Sequence, residues 1–216
     1  MNKKLKIVFA GTPKFAVPTL EIISNASFEI ICVLTQPDRK AGRGMKKIPS
    51  HVKNAANKLG LPIMQPQSLK SLEVFNAIKD LKADILVVAA YGLIIPEKIL
   101  NLFHKGCLNV HASLLPRWRG AAPIQRSIMN LDNETGISIM KINEELDSGP
   151  VSNIYKIKLD QKLNAKEVSE KLSLLAADKI LDCVDDILDG KSDFTEQDHF
   201  KISSNTNGQY SSSLES

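Results

Sequence analysis

Two side chains suited to oxyanion stabilisation and proton transfer stand two residues apart in the stretch Gly106–Pro116, whose sequence is GCLNVHASLLP. The apolar residues around Asn109 predict the end of a buried strand, and residues i and i+2 of a strand face the same side. The amide of Asn109 and the imidazole of His111 should therefore project side by side, just before a loop. An amide donates hydrogen bonds to a developing oxyanion, and an imidazole moves protons near neutral pH. Alone, the pair is a weak signal, because a single histidine is more often structural.

An acidic loop, residues 142–150 (INEELDSGP), separates two further predicted strands. Asp147 in this loop could orient an imidazole or position a water molecule. It could equally be a turn residue that precedes Gly149. The residue types leave both interpretations open.

A basic stretch follows the second predicted strand, over residues 36–47 (QPDRKAGRGMKK). It holds five cations and one anion, with two glycines and one proline. Proline and glycine interrupt regular structure, so we predict a loop with neither a strand nor a helix interior. Loops at the carboxyl ends of parallel strands bind ligands in sheets of this kind. We interpret the stretch as a contact for an anion or a nucleic acid, with a solvated surface loop as the alternative.

The elements that must position these residues alternate between apolar runs and amphipathic segments. The predicted strands are 5–10, 28–35, 62–65, 84–90 and 107–110, and the predicted helices are 15–25, 51–59, 69–81, 97–102 and 121–129. This alternation predicts the α/β class, with an open, mostly parallel, Rossmann-like sheet that has helices on both faces. Two strands between Gly136 and Leu159 should add an antiparallel extension. The first strand–helix turn, Gly11-Thr12-Pro13, matches no glycine-rich phosphate loop, so a nucleotide-binding function has no support.

One domain is predicted over residues 1–190, and it ends with a long amphipathic helix, 165–188, capped by Asn164. Residues 191–216 are polar and rich in serine, which predicts a disordered or truncated tail. The composition, with 43% hydrophobic and 24% charged residues and a formal net charge of +4, is that of an ordinary globular protein. Three scattered cysteines predict reduced thiols in a cytoplasmic protein. No membrane span and no metal site are expected, since the remaining histidines are dispersed.

Four motifs together resemble the methionyl-tRNA formyltransferases. They are FAGTP at 9–13, TQPDRKAGRG at 35–44, NVHASLLPRWRGAAPIQ at 109–125 and the acidic segment that ends in LDSG at 146–149. The resemblance extends from about residue 5 to residue 190, and the second and third motifs are specific. The wider formyltransferase superfamily shares the Asn, His and Asp, and includes enzymes that act on glycinamide ribonucleotide and on sugar nucleotides.

The resemblance implies an enzyme that moves a formyl group from 10-formyltetrahydrofolate to the methionine amino group of initiator methionyl-tRNA, without a metal. It makes Asn109, His111 and Asp147 the catalytic residues. The implied folate-binding residues are Ser113, Leu114, Leu115, Pro116, Tyr91, Gly92, Leu93, Ile95 and Asn143. The implied tRNA-binding residues are Arg43, Arg39, Lys46 and Lys47.

The sequence departs from this family after residue 190. Family members carry a C-terminal β-barrel of the OB type, and we expect that domain to be absent here. We therefore keep two alternatives: a poorly active, truncated remnant that binds folate or RNA, and a formyltransferase with a small amine acceptor such as a sugar nucleotide. The protein is expected to act as a monomer, away from membranes.

Overall fold

The computed structural model describes residues 4–41, 46–160 and 162–200. The strands are β1 (Lys6–Gly11), β2 (Glu29–Leu34), β3 (Arg39–Ala41), β4 (Lys46–Ile48), β5 (Ile63–Met64), β6 (Ile85–Ala89), β7 (Cys107–His111), β8 (Glu134–Lys141) and β9 (Val151–Lys158). The α-helices are α1 (Val17–Asn25), α2 (His51–Lys58), α3 (Leu72–Asp80), α4 (Glu97–Leu100), α5 (Pro123–Met129) and α6 (Ala165–Leu188). Short 3-10 turns cover Lys14–Ala16 and Gln197–His199.

Seven strands form one open sheet in the order β5-β2-β1-β6-β7-β8-β9. The pairs from β5 to β7 are parallel, whereas β8 runs antiparallel to both β7 and β9. The predicted α/β class and the predicted antiparallel extension are confirmed. The sheet changes from parallel to antiparallel at β7, the strand that carries Asn109 and His111.

The sheet is covered on both faces, as predicted. Along β1, Ile7 and Phe9 face a core made with α1, α2 and α6, whereas Val8 and Ala10 face a second core made with α3 and α4. Because successive strand residues point to opposite faces, a strand buried on both sides must be apolar throughout. This explains the uninterrupted apolar runs of the sequence.

Side-chain caps fix the helix starts that the sequence predicts. The Ser50 side chain accepts a hydrogen bond from Lys53 N at the start of α2. At the start of α6, Asn164 and Glu167 form a reciprocal capping box. Each such cap stabilises a helix by about 1 kcal/mol. In the described residues, no helix combines the length and the apolar character that crossing a bilayer requires.

The prediction that the basic stretch contains no strand is wrong. β3 and β4 pair as an antiparallel ribbon, with Arg39 opposite Ile48 and Lys40 opposite Lys47. The residues that argued against a strand do not lie in the paired positions, because Pro37 precedes β3 and both glycines fall between the two strands. Gly42–Met45, and with them Arg43, lie outside the described residues.

Residues 191–200, the first part of the predicted disordered or truncated tail, include a segment that pairs with the main sheet. Thr195 forms a two-hydrogen-bond bridge with Val151 at the start of β9, at 2.8 and 2.9 Å. Gln197 is buried, with 2% of its surface exposed. This order comes from backbone pairing and one buried amide, so apolar periodicity could not reveal it. Residues 201–216 lie outside the described residues.

Candidate active site

Asn109 and His111 lie at the carboxyl end of β7, on the same side of the strand, as predicted. In the ladder Asn109 is paired with Val88 of β6 and with Met140 of β8. His111 is paired with Ser138 of β8. The neighbouring strands thus support the backbone of Asn109 on both sides and that of His111 on the β8 side.

The Asp147 carboxylate joins the two side chains of β7. Its Oδ1 accepts a hydrogen bond from Asn109 Nδ2 at 3.2 Å. Its Oδ2 accepts one from the backbone N–H of Gly120 at 2.9 Å and lies 3.4 Å from His111 Nδ1. The structure therefore brings together the three residues predicted to be catalytic, although 38 residues separate Asn109 from Asp147.

The His111 ring is held from both of its nitrogens. Its Nε2 lies 3.0 Å from the carbonyl oxygen of Trp118, and its Nδ1 faces Asp147. Since a carbonyl can only accept, this hydrogen bond requires a proton on Nε2. Only 6% of the residue is exposed. The ring orientation is thus fixed, and Nδ1 is the nitrogen placed to share a proton with the carboxylate.

The loop after β7 is fastened by a buried hydroxyl. Ser138 Oγ accepts from Leu115 N at 3.0 Å and donates to Ser113 O at 2.8 Å, while Ser113 Oγ donates to Arg117 O at 2.6 Å. The side chains of Ser113 and Leu115 are fully buried. Both side chains are used in packing the loop, and their predicted contact with folate stays a prediction. Pro116, which follows a cis peptide bond, is partly exposed.

Asp132 anchors the next part of the loop. It accepts two hydrogen bonds from the Arg117 guanidinium, at 3.1 and 2.6 Å, and one from Trp118 Nε1 at 2.7 Å. Burial alone would raise the pKa of Asp132, but the hydrogen bonds from Arg117, Trp118 and Asn130 outweigh it and lower the pKa. A charged Asp132 therefore holds Trp118, whose carbonyl holds His111.

Sequence reasoning missed several residues of this arrangement. Gly120 supplies a backbone N–H, Asp132 an anchor, and Gln197 a buried amide that contacts the Asp147 loop. Trp118 and Asp147 themselves have positive φ angles of 61° and 50°. Such backbone strain in non-glycine residues concentrates at functional sites, but these residue types alone do not predict it.

The loop after β6 begins beside β7, since Ala89 is paired with Val110. The Tyr91 side chain is buried, and burial raises the pKa of its phenol to about 12. Its carbonyl accepts hydrogen bonds from Thr12 Oγ1 at 2.7 Å and from Gln36 Nε2 at 3.1 Å. Tyr91 thus fixes this loop through its buried side chain and its hydrogen-bonded carbonyl.

The other residues predicted to bind folate differ in their exposure. Gly92 is exposed, whereas Leu93 and Ile95 are partly buried. Leu114 is buried in the loop after β7. Asn143 is exposed, and its Oδ1 accepts from Ser148 Oγ at 3.0 Å, which closes the acidic loop.

A cleft of about 370 Å³ opens beside the same loop. Its walls include Thr12, Pro13, Gln36, Arg39, Ile48, His51, Tyr91 and Gly92. The cleft thus lies between the carboxyl ends of the first strands and the basic ribbon. Arg39 contacts the Gln36 side chain at this edge.

Asp38, the one acidic residue of the basic stretch, is paired within the fold. Asp38 accepts from Gln65 Nε2 at 2.8 Å and pairs with Lys53 Nζ at 2.7 Å. Hydrogen bonds from Gln65 and Lys53 lower the pKa of Asp38. Lys47 is exposed on β4. Within the described ranges, no three His, Cys, Asp or Glu side chains are grouped so that they could hold a metal ion.

A family model described as "Formyl transferase" matches residues 3–183. Among curated proteins, the chain is 49% identical to the methionyl-tRNA formyltransferase of Pelagibacter ubique over 211 residues, which is 97% of the chain and 66% of that protein. It is 49% identical to the methionyl-tRNA formyltransferase of Coxiella burnetii over 194 residues, 90% of the chain and 62% of that protein. The chain therefore spans less than two thirds of the length of these relatives.

Solved structures share the fold at low sequence identity. Glycinamide ribonucleotide transformylase 1 from Symbiobacterium toebii has a TM-score of 0.73 at 13% identity, over 88% of this chain and 90% of that one. An N-formyltransferase from Helicobacter canadensis, solved with folinic acid and dTDP-3-aminofucose, has a TM-score of 0.70 at 20% identity, over 93% of this chain and 70% of that one.

Proposed function

The chain belongs to the formyl transferase family, and from this premise we propose that it transfers the formyl group of 10-formyltetrahydrofolate to the methionine amino group of initiator methionyl-tRNA. The observation that carries the proposal is the Asp147 carboxylate, which joins Asn109 and His111 at the end of β7. The identity of 49% with two methionyl-tRNA formyltransferases supports the acceptor.

The reaction requires a site for a tetrahedral intermediate. The amine attacks the formyl carbon, negative charge develops on the formyl oxygen, and the bond to N10 of the folate breaks. Asn109 has two amide hydrogens, of which one is engaged by Asp147 Oδ1 at 3.2 Å. The second is available to the oxyanion, and removal of such a donor costs about a hundredfold or more in rate.

His111 and Asp147 form the proton-handling part of the site. The attacking nitrogen must lose a proton and N10 must gain one. With Nε2 bonded to the Trp118 carbonyl, Nδ1 of His111 is the nitrogen next to the carboxylate. We propose that Asp147 orients the ring and that the His111–Asp147 pair takes the proton from the attacking nitrogen and returns it to N10, while Asn109 stabilises the oxyanion. The direct contact favours this role of Asp147 over a water relay to N10.

The folate would occupy the two loops that flank β7. The segment Gly92–Ile95 leaves β6 on one side of the strand, and the loop Asn143–Asp147 follows β8 on the other. Exposed backbone at Gly92 and partly buried apolar side chains at Leu93 and Ile95 suit a planar pterin ring with polar edges. Leu114 and Pro116 would complete this side, with Ser113 and Leu115 supporting them from within.

The acceptor end of the tRNA would enter the cleft beside the basic ribbon. Arg39 lines the cleft and Lys47 is exposed on the ribbon. Cationic side chains on this surface gain affinity for a phosphate backbone because binding releases the counterions of the phosphates. We include Lys46 and Arg43 in this surface from their places in the sequence. We propose a cytoplasmic enzyme that works as a monomer.

The direct test is formylation of charged initiator tRNA by the purified chain with 10-formyltetrahydrofolate. We expect formylmethionine, and loss of about a hundredfold or more of the rate with Asn109→Ala at unchanged folding. A parallel reaction offers a dTDP-linked amino sugar as the acceptor. Formylation of the sugar but not of the tRNA would establish a small-acceptor enzyme and overturn the proposed acceptor.

A further inference from the structure

One buried amide outside the matched residues 3–183 connects the two loops of the site. Gln197 Nε2 donates to the carbonyl oxygens of Asp147, at 2.9 Å, and Gly149, at 2.8 Å. Its Oε1 accepts from Arg119 Nε at 2.8 Å. The residue is 2% exposed; its hydrogen bond to Gly149 is buried, and those to Asp147 and Arg119 are partly buried.

The segment that carries Gln197, Phe194–Phe200, is here called the strap. Thr195 pairs with Val151 through two backbone hydrogen bonds. Lys141 Nζ lies 4.2 Å from the centre of the Phe194 ring. Phe200 packs against a small core that contains Leu115. The strap is thus fixed to the rest of the fold at three places, so it can support the loops that Gln197 contacts.

Gln197 supports Asp147 at a strained position in the acidic loop. Its φ angle of 50° is one that non-glycine residues rarely adopt. Leu146, the residue before it, is 66% exposed and gives no apolar anchor. The hydrogen bonds of Gln197 to the carbonyls of Asp147 and Gly149 fix the peptide groups that follow these two residues.

The Gln197 amide is also connected to Gly120, a second partner of the Asp147 carboxylate. Arg119 precedes Gly120, whose N–H donates to Asp147 Oδ2 at 2.9 Å. Gln197, Arg119, Gly120 and Asp147 therefore form a closed ring of covalent and hydrogen bonds. A change at Gln197 acts on the carboxylate and on one of its donors at once.

We propose that Gln197 is a positioning residue for formyl transfer: it holds Asp147 and the Arg119–Gly120 turn so that the carboxylate meets Asn109 and His111. The assignment of a role in turnover rests on the proposed function. A misplacement of about 1 Å in a catalytic group can cost about a hundredfold in rate. Loss of the amide should therefore lower kcat with little effect on the binding of folate.

The variant Gln197→Met keeps the length of the side chain but removes its donors and its acceptor. We expect kcat to fall about tenfold to a hundredfold, with the KM for 10-formyltetrahydrofolate within about threefold of the parent value. Thr195→Ala is the matched control, since Thr195 contributes only its backbone to the bridge and its side chain is exposed. It should leave both constants unchanged.

A double-mutant cycle separates positioning from general packing. If Gln197 acts through the carboxylate, Gln197→Met should have almost no further effect on kcat in an Asp147→Asn background. The same loss of kcat in both backgrounds would overturn the proposal. Gln197→Glu is the second variant, because it keeps an acceptor for Arg119 but its carboxylate cannot donate to the two carbonyls. It should lower kcat in the same way.

Hydrogen exchange of the Gly120 amide tests the geometry without any turnover. In Gln197→Met we expect this amide to exchange at least tenfold faster, while the amide of Val87 in the central strand β6 keeps its rate. Unchanged exchange at Gly120 refutes the positioning role even if kcat falls. If the parent chain forms no formylmethionine, the proposed function fails, and faster exchange at Gly120 still supports the structural part of the inference.

Discussion

Asp147→Asn is the substitution that most directly tests the arrangement at the end of β7. The carboxylate has two acceptor oxygens, whereas the amide has one oxygen and one NH₂ group. If the NH₂ replaces Oδ1, it faces the Asn109 amide donor; if it replaces Oδ2, it faces the Gly120 N–H. Either orientation puts a donor against a donor, and both remove the negative charge next to His111.

The expected loss follows from these contacts. A hydrogen bond to a charged group contributes about 1.5–3 kcal/mol, and about 1.4 kcal/mol corresponds to a tenfold change in rate. One such interaction lost from the transition state therefore lowers kcat by about tenfold to a hundredfold. The loss of the carboxylate opposite His111 Nδ1, at 3.4 Å, acts in the same direction.

Single-turnover formylation of methionyl-tRNA at saturating 10-formyltetrahydrofolate measures this step apart from substrate binding. Glu145→Gln is the control, since it removes one negative charge from the same loop at an exposed residue. Circular dichroism and thermal unfolding show whether each variant keeps the fold. A folded Asp147→Asn protein with a rate within about threefold of the parent would falsify the role given to the carboxylate.

Three further predictions concern the tRNA surface, the loop and the thiols. Lys47→Ala should weaken tRNA binding and reduce the slope of log K against log salt by about 0.9, with folate affinity unchanged; an equal slope in filter-binding titrations would contradict the tRNA contact. Ser138→Ala should lower the free energy of unfolding by about 1–3 kcal/mol in urea titrations, because it leaves a buried N–H and a buried carbonyl without their partner; full stability would refute this. Burial raises the pKa of Cys32 from 9.0 to about 11 and that of Cys107 from 9.0 to about 12. The folded state thus favours the neutral thiols, so this contribution to stability is complete below pH 9 and is lost as the pH rises towards 11 and 12. Urea midpoints from pH 8 to pH 11 should fall, and less steeply after Cys32→Ala.

The parts of the fold that the sequence predicted depend on local patterns. Apolar runs such as residues 84–90 marked strands buried on both faces, and Asn164 marked the start of the long helix. The spacing of Asn109 and His111 placed them on one side of a strand, because side-chain direction alternates in any extended chain. These relations hold wherever the element lies in the tertiary structure.

The parts that failed depend on tertiary contacts. Nothing local indicates that residues 39–41 pair with residues 46–48, or that Gln197 is buried against Asp147. Nothing local indicates either that Ser113 and Leu115 fold inward onto Ser138 and a small apolar core. The meeting of Asp147 with His111 followed from family resemblance, since neither spacing nor residue type specifies that contact.

The position of Gln197 in the chain also sets the order in which the site is completed. It lies 78 residues after Arg119 and 50 residues after Asp147, both of which it holds. Because a protein is synthesised from its amino end, the strand that carries Asn109 and His111 leaves the ribosome well before this amide does. The hydrogen bond of Gln197 to the Asp147 carbonyl forms only when the strap has emerged, so a nascent chain contains Asn109, His111 and Asp147 before it contains this support.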